Sequence, residues 1–173
     1  KQYGEGMVGR TAGFGSIYEN TLMPRHTVGS QDGNYVTNGA DQTGSTLTVD
    51  TGTGTMKEGD VFTLASVYRV HPETKTSTGE LQQFVVTADY AGGAGDVSIS
   101  PAIVTSGATQ NVDAAPADGA ALTFVGTAST AHGESLAYHR DAFAFATADL
   151  IMPNGVDFAS RQVLDGISMR IIR

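Results

Sequence analysis

The sequence contains no cysteine, and this absence excludes two kinds of structural site. Neither a disulfide bond nor a thiolate metal site can form. Long apolar runs are missing as well, so no segment approaches the length that a helix needs to cross a bilayer. The first residues also lack the basic and then apolar pattern of a secretory signal. We therefore expect a soluble protein that is made in a cytoplasm.

Charge is scarce, and its sign argues against nucleic acid as a partner. Charged residues make up 16% of the chain, against roughly a quarter in an ordinary globular protein. The ten lysines and arginines are scattered, and the net charge is -8. A nucleic-acid-binding domain usually carries a basic stripe. We therefore expect no direct or sequence-specific binding of DNA or RNA.

Glycine and strand-like segments are what the chain has in abundance. It has 22 glycines, and hydrophobic residues make up 40% of the 173 positions, enough for the core of one domain with or without arms. Turn signals separate five segments with strand character, and no helical pattern alternates with them. These features predict an antiparallel sandwich or small barrel rather than a parallel α/β sheet. The five segments are 45–50, 61–70, 80–90, 92–103 and 121–128.

Two of these strands carry more detailed predictions. In VFTLASVYRV (61–70), strict alternation assigns one face the more apolar set, namely Phe62, Leu64, Ser66, Tyr68 and Val70. Pro101 has no N–H to donate, so we expect it at a sheet edge or a strand end.

The last forty residues have a different character. Phe143 and Phe145 lie at strand spacing, so a strand is favoured over a helix in 135–153. Residues 157–166 are predicted as a loop or one helical turn, and ISMRIIR at the end as a strand. Because the chain starts with Lys1 and ends within a strand pattern, we expect either part of a longer polypeptide or a shortened chain.

The stretch HPETKTSTGELQQFVV (71–86) contains the residues that most resemble an active site. His71, Glu73 and Glu80 are acid–base residue types, but Pro72 and Gly79 place them in a turn between two strands. An exposed hairpin tip at 71–80 provides no pocket that would tune their pKa values. We therefore predict a hairpin tip and no catalytic site here.

Other motif matches fail for lack of their structural context. HRD (139–141) has neither the downstream asparagine nor the glycine-rich loop of a kinase, and GFGSI (13–17) is not a nucleophile elbow. The four histidines do not have the spacing of a zinc site, and the aspartates do not form a calcium loop. We predict that the chain is not an enzyme and needs no cofactor or metal.

Several motifs in order resemble one protein family. They are GD-x-F-T from Gly59, V-x-x-V-x-P-x-T-K, then T-G-x-L-Q-Q-F-V-V, and I-S-P ending at Pro101. GRTAGFGSIYENTLMPRHT (9–27), SLAYHRDAFAFATADL (135–150) and GVDFASRQVLDGISMRIIR (155–173) agree as well. Together they resemble the major coat protein of tailed double-stranded-DNA phages, typified by the short-tailed Salmonella phage.

This resemblance implies a mainly β piece of a capsid shell fold of the Hong-Kong-phage type, which is α+β when complete. Residues 45–127 would form an inserted small antiparallel β domain, a barrel or sandwich. Residues 1–44 would be an extended arm and shell segment, and 128–173 the returning strands of the shell. The family's helical amino-terminal half has no counterpart in these residues.

The resemblance also implies the function and the partners. Many copies, as hexamers and pentamers, would self-assemble into an icosahedral shell around phage DNA. Scaffolding and portal proteins are further expected partners, assembly would take place in the bacterial host cytoplasm, and no membrane is involved. The alternative is a β-sandwich module for binding or adhesion on a virion or cell surface, with Tyr35, Tyr68 and Tyr90 as candidate exposed aromatics.

The candidate residues for contacts between subunits lie mainly at the 71–80 tip. Its charges either set the register of a contact or keep the tip soluble and block edge aggregation, and the sequence leaves both open. His139 either packs beside Tyr138 or meets another chain. The candidate inter-subunit residues are Pro72, Glu73, Lys75, Glu80, Arg25, His139 and Arg140.

Overall fold

The computed structural model describes residues 7–9, 13–15, 17–139, 141–148, 151–164 and 166–173. Within them the regular structure consists of strands alone. The chain divides into unit 1 (Lys1–Ser135) and unit 2 (Leu136–Arg173). The strands are β1 (Met7–Gly9), β2 (Ile17–Tyr18), β3 (Arg25–Thr27), β4 (Val36–Thr37), β5 (Gly44–Asp50), β6 (Val61–Val70), β7 (Ser77–Val86), β8 (Gly95–Ile103), β9 (Leu122–Phe124), β10 (Ala131–Gly133), β11 (Ala159–Leu164) and β12 (Ile167–Ile172). The predicted mainly β class is therefore confirmed.

Unit 1 is built around a six-stranded antiparallel sheet that closes on itself. Its strand order is β4-β5-β8-β7-β6-β9. The two outer strands meet through a bridge between Val36 and Ala121. The backbone N–H of Leu122 donates to the carbonyl of Tyr35 at 2.9 Å, which extends the same seam. Of the two predicted architectures, the structure therefore adopts the barrel, and its first strand precedes residue 45.

The barrel interior is filled by apolar side chains from all the major strands. Phe62 lies at its centre, with its ring 5.9 Å from that of Phe84 and 5.7 Å from that of Phe124. Burial of these side chains is the main favourable term for folding. The largest fully buried side chains are Tyr35, Phe62, Phe84, Leu47, Met56, Leu64, Ile103, Leu122, Val49, Val67, Val86 and Val97.

Strand β6 departs from strict alternation halfway along. Phe62 and Leu64 point into the core as predicted, but Ser66 is exposed and Val67 is fully buried. Ser66 has a φ of 62°, and the pairing of β6 with β7 shifts between Thr63 and Tyr68. A bulge of this kind inserts a residue and reverses the face of the side chain that follows. A second shift between Tyr68 and Val70 leaves Val70 buried, on the face predicted for it. The face predicted as the more apolar is therefore buried at Phe62, Leu64 and Val70 but not at Ser66 and Tyr68.

Pro101 lies inside β8 rather than at a strand end or sheet edge. The pairing of β8 with β5 shifts between Ser98 and Ile103, so Pro101 falls within an irregular stretch. A bulge tolerates proline because no ladder hydrogen bond is required of its missing N–H. The expected edge position was wrong, since alternation along β8 did not show this irregularity.

Asp32 organises the loop that leads into β4. Its carboxylate accepts hydrogen bonds from the Thr53 hydroxyl at 2.8 Å and from the backbone N–H of Asn34 at 3.1 Å. These bonds, with that of the Thr53 hydroxyl contributing most, lower the pKa of Asp32 from its ordinary 3.8 to about 2. The loop is thereby tied to residues 51–55, beside the buried Tyr35.

We predict that Thr53→Val raises the pKa of Asp32 from about 2 toward 3.8, because the valine cannot donate a hydrogen bond. A depressed pKa stabilises the fold fully above the unfolded-state value and loses this effect as the pH falls through the folded-state value. The parent should thus keep the contribution to a lower pH than the variant. An NMR titration of the Asp32 carboxyl carbon measures the shift, and equal pKa values in both proteins would contradict the assignment.

In the described residues of unit 2, β11 and β12 form an antiparallel hairpin, in register from Ala159 opposite Ile172 to Leu164 opposite Ile167. The predicted strand in ISMRIIR is confirmed. The loop or helical turn predicted for 157–166 was wrong, because β11 occupies most of it. The strand favoured for 135–153 is absent from the part of this range that the structure describes, where Phe143 and Phe145 are exposed. A strand needs a partner strand to pair with, and these described residues form no ladder with another strand.

Candidate functional site

The outer end of the β6–β7 hairpin is a short ordered loop. The backbone N–H of His71 donates to the carbonyl of Thr76 at 2.9 Å, and that of Lys75 donates to the carbonyl of His71 at 2.9 Å. The His71 ring nitrogen accepts from the backbone of Glu73 at 3.3 Å. We call residues 71–76 the tip loop. The predicted tip of 71–80 was too long, because β7 begins at Ser77.

Lys75 fixes the tip loop to another part of unit 1. Its ammonium donates to the carbonyl of Ala108 at 2.8 Å and to that of Gln110 at 3.4 Å. The lysine backbone has a φ of 57°, in the left-handed region that is uncommon for a residue other than glycine. Lys75 therefore holds the loop in place from within the subunit, while Pro72 and Glu73 remain exposed at its outer end.

Glu80 belongs to a strand and not to the tip loop. It lies within β7 and its carboxylate is 3.3 Å from the guanidinium of Arg69 on β6. Both side chains are more than half exposed, at 74% and 57%. An exposed pair of this kind contributes little to stability. The structure therefore places Glu80 in a local cross-strand pair, four residues beyond the end of the tip loop.

The other predicted contact residues are not gathered at the tip loop. Arg25 is exposed on β3, opposite Gly133 of β10. His139 belongs to unit 2, where its ring nitrogen accepts from the backbone N–H of Asp141 at 3.2 Å. Arg140 lies outside the described residues. The structure brings together Pro72, Glu73 and Lys75 and does not place the remaining candidates with them.

Sequence reasoning missed a buried aspartate where the chain enters and leaves the barrel. β3 pairs with β10 in a two-stranded ribbon, which we call the neck. The side chain of Asp60 is fully buried and lies 2.7 Å from the Nε2 of His26 in the neck. It also accepts from the backbone N–H of Lys57 at 2.8 Å and of Gly29 at 3.1 Å. Asp60 therefore joins the neck to the first residues of β6.

Among the residues that the structure describes, no catalytic arrangement surrounds this aspartate. An open depression of about 540 Å³ lies beside it, lined in part by His26, Lys57, Glu58 and Asp89. Among the described residues no serine hydroxyl is hydrogen-bonded to the His26 ring, as a nucleophile activated by it would be. The same part of the chain contains no group of three or more histidine, aspartate or glutamate residues placed to hold a metal ion. Asp60 instead accepts backbone hydrogen bonds from Gly29 and Lys57, and its contact with His26 connects these segments to the neck.

The aromatic residues considered for a binding face lie largely in the core. Tyr35 is fully buried, its hydroxyl donates to the carbonyl of Gly54 at 2.6 Å, and burial raises its pKa above the usual 10.0. The ring of Tyr90 lies edge-on, 6.4 Å from that of Tyr35. No helix of the described residues is long and apolar enough to span a membrane. The adhesion alternative therefore loses Tyr35 as an exposed aromatic, and Tyr90 is partly buried against the core.

Comparison with known proteins identifies the family. The family model described as P22 coat protein, gene protein 5, matches residues 11–172. The chain belongs to the P22 coat protein family. It is a structural capsid subunit of a bacteriophage, as the sequence motifs led us to expect.

The chain was also compared with solved structures and with curated proteins. A solved structure described as the CUS-3 coat protein I-domain is 31% identical to the chain. The match covers 56% of this chain and 95% of that one, with a TM-score of 0.40. Comparison with curated proteins found no match.

Proposed function

We propose that this P22-family coat subunit is the major capsid protein, and that its copies assemble as hexamers and pentamers into an icosahedral shell enclosing phage DNA. The observation that carries the proposal is the family match, which spans both units from residue 11 to residue 172. Repetition of one contact around a closed symmetry allows each contact to be modest. Scaffolding and portal proteins are the further partners we infer from family membership, with assembly in the bacterial host cytoplasm.

The charge distribution supports a role without direct recognition of DNA or of a membrane. All of the net charge of -8 lies in residues 1–135, because residues 136–173 contain four arginines and four aspartates. An acidic barrel repels phosphate rather than neutralising it. We therefore propose no sequence-specific nucleic-acid contact and no membrane contact for unit 1.

In this proposal the barrel is a domain inserted into the shell part of the subunit. Residues 45–127 are the insertion as predicted from the sequence, and residues 1–44 and 128–173 contribute to the shell. The neck supports insertion, since β3 and β10 place the entering and leaving chains side by side. Because the barrel also uses Tyr35 and Val36, we extend the proposed insertion to about residues 28–130.

The tip loop in this proposal touches a neighbouring subunit. Lys75 and the bonds of His71 hold the loop in one conformation before any partner arrives, which lowers the entropy lost on binding. The Glu73 carboxylate is exposed and forms no ion pair with a described residue. It is therefore available to set the register of a polar contact. Arg25, His139 and Arg140 remain candidates for other contacts.

We predict that Glu73→Lys weakens shell assembly without weakening the fold. Reversing one charge at a partly exposed contact should raise the subunit concentration needed for assembly by about threefold to tenfold. The variant and parent coat proteins carrying these residues would be co-expressed with scaffolding protein. Sedimentation would then separate closed shells from free subunits, and circular dichroism would compare their folds.

The matched control is Glu58→Lys, which reverses another exposed carboxylate on unit 1 away from the tip loop. It should assemble as the parent does if the tip loop is the contact. Equal assembly of the parent and both variants would remove the tip loop from the proposal. If the parent protein formed shells in that experiment, the proposed capsid role would still stand.

A further inference from the structure

The chain contains two Asn-Gly dipeptides, and they are closely matched in local exposure and backbone shape. They are Asn38-Gly39 in unit 1 and Asn154-Gly155 in unit 2. Both asparagines are exposed. Both glycines have a left-handed backbone, with φ values of 96° and 84°, and a Cβ added to either would meet nothing. The two glycines are therefore equally unhindered around their Cα atoms.

The two dipeptides differ in how their polar atoms are held. The N–H of Gly39 donates to the carboxylate of Asp118 at 2.8 Å. The Asn38 backbone is held on both sides, since its N–H donates to the carbonyl of Thr48 and its carbonyl accepts from the Gln42 side chain, each at 2.9 Å. No described residue accepts a hydrogen bond from the N–H of Gly155 or bonds the side chain of Asn154.

We propose that Asn154 is a site of spontaneous deamidation and that Asn38 is protected from it. Hydroxide removes the proton of the Gly155 nitrogen, which then attacks the side-chain amide carbon of Asn154. A C–N bond forms to Gly155, the bond from that carbon to the side-chain nitrogen breaks, and the departing nitrogen takes a proton from water and leaves as ammonia. The resulting five-membered succinimide is opened by one water molecule at either carbonyl, which yields aspartate or isoaspartate. The step needs water alone and neither an oxidant nor a reductant.

The protection of Asn38 follows from the hydrogen bond of Gly39. A charge-assisted bond to a carboxylate favours the protonated amide and disfavours the nitrogen anion that attacks. The bonds of the Asn38 backbone also resist the rotation that would bring the side chain over that nitrogen. A hydrogen bond to a charged group is strong enough to slow such a step by about tenfold or more.

The modification would change the charge of unit 2. Its four arginines balance its four aspartates, so a new carboxylate at position 154 makes it net negative. The guanidinium of Arg170 donates to the carbonyl of Ile151 at 2.5 Å, and Ile151 lies three residues before Asn154. In a shell, which does not replace its subunits, the new charges would accumulate with age on many copies. The chemistry itself does not depend on the proposed function.

The test is to incubate the intact chain at mildly alkaline pH and follow both dipeptides by peptide mapping with mass spectrometry. Isoaspartate is detected with an isoaspartyl methyltransferase. In the folded protein, Asn154 should deamidate about tenfold faster than Asn38 or more. In urea the two rates should become similar, because unfolding removes the bonds around Asn38. Equal rates in the folded protein, or a faster rate at Asn38, would overturn the proposal.

Two variants test whether the hydrogen bond between Gly39 and Asp118 causes the difference in deamidation rate. Asp118→Ala removes the acceptor of the Gly39 N–H and should raise the rate at Asn38 by about tenfold while leaving the rate at Asn154 unchanged. Asn154→Gln should abolish modification at that position, because ring closure by the longer side chain is much slower. An unchanged rate at Asn38 in folded Asp118→Ala would overturn the protective role of Asp118. If that variant does not fold, the comparison with urea still decides the main proposal.

Discussion

Replacing Asp60 with alanine is expected to destabilise unit 1 by about 3 kcal/mol or more. The carboxylate is fully buried, and three groups are hydrogen-bonded to it: the backbone N–H groups of Gly29 and Lys57 and the ring of His26. A buried donor that loses its acceptor costs about 1–3 kcal/mol. Alanine supplies no acceptor for any of these donors. The loss should therefore be several times that of an ordinary surface substitution.

Urea unfolding of the variant and the parent measures this difference. The control is Glu80→Ala, which removes an exposed carboxylate paired with Arg69 and should cost less than about 1 kcal/mol. Hydrogen exchange should also accelerate at Gly29 and in the neck, since Asp60 joins the two. A loss for Asp60→Ala no larger than that of the control would refute the role assigned to this residue.

Gly52→Ala is expected to destabilise the barrel by about 3 kcal/mol, for a purely steric reason. A Cβ at position 52 would overlap the base of the Tyr35 ring. That ring is fully buried and its hydroxyl is bonded to Gly54 and Gly93, so it has no free space to move into. Relief requires displacing the seam at which the barrel closes, because the carbonyl of Tyr35 accepts the N–H of Leu122.

The matched control for this substitution is Gly133→Ala on the neck. A Cβ there meets nothing, and neither Gly52 nor Gly133 has a positive φ, so the pair isolates the overlap from backbone strain. In a background of Tyr35→Leu, Gly52→Ala should cost much less, and a double-mutant cycle measures that coupling. Equal thermal stabilities of the two alanine variants would show that the ring does not confine position 52.

Local sequence patterns indicated five of the six strands of the barrel, all but β4, and did not indicate how the barrel closes. β6 was predicted with the bounds that the structure has, because its apolar and β-branched residues specify a strand locally. The seam between Tyr35 and Leu122 joins residues far apart in the chain, so no local sequence pattern indicates it. The face of Val67 was missed for another reason, since the bulge at Ser66 is a backbone feature of a non-glycine residue.

The candidate contact residues show the same difference between local features, which the sequence indicates, and contacts between distant residues, which it does not. The sequence correctly indicated a hairpin end at Pro72 and Glu73, because turn residues act locally. It did not indicate that Lys75 is bonded to Ala108 or that Asp60 holds His26, as both contacts depend on the folded barrel. In unit 2, β11 was missed because its pairing with β12 outweighs the polar residues that suggested a loop.

The most direct measurement is an electron-microscopy reconstruction of particles formed by the coat protein that carries these residues, co-expressed with scaffolding protein. We predict closed icosahedral shells in which the density of each subunit contains a six-stranded barrel, attached to the shell through the neck formed by β3 and β10. The production of free subunits alone, under every condition that allows the protein to fold, would contradict the capsid assignment.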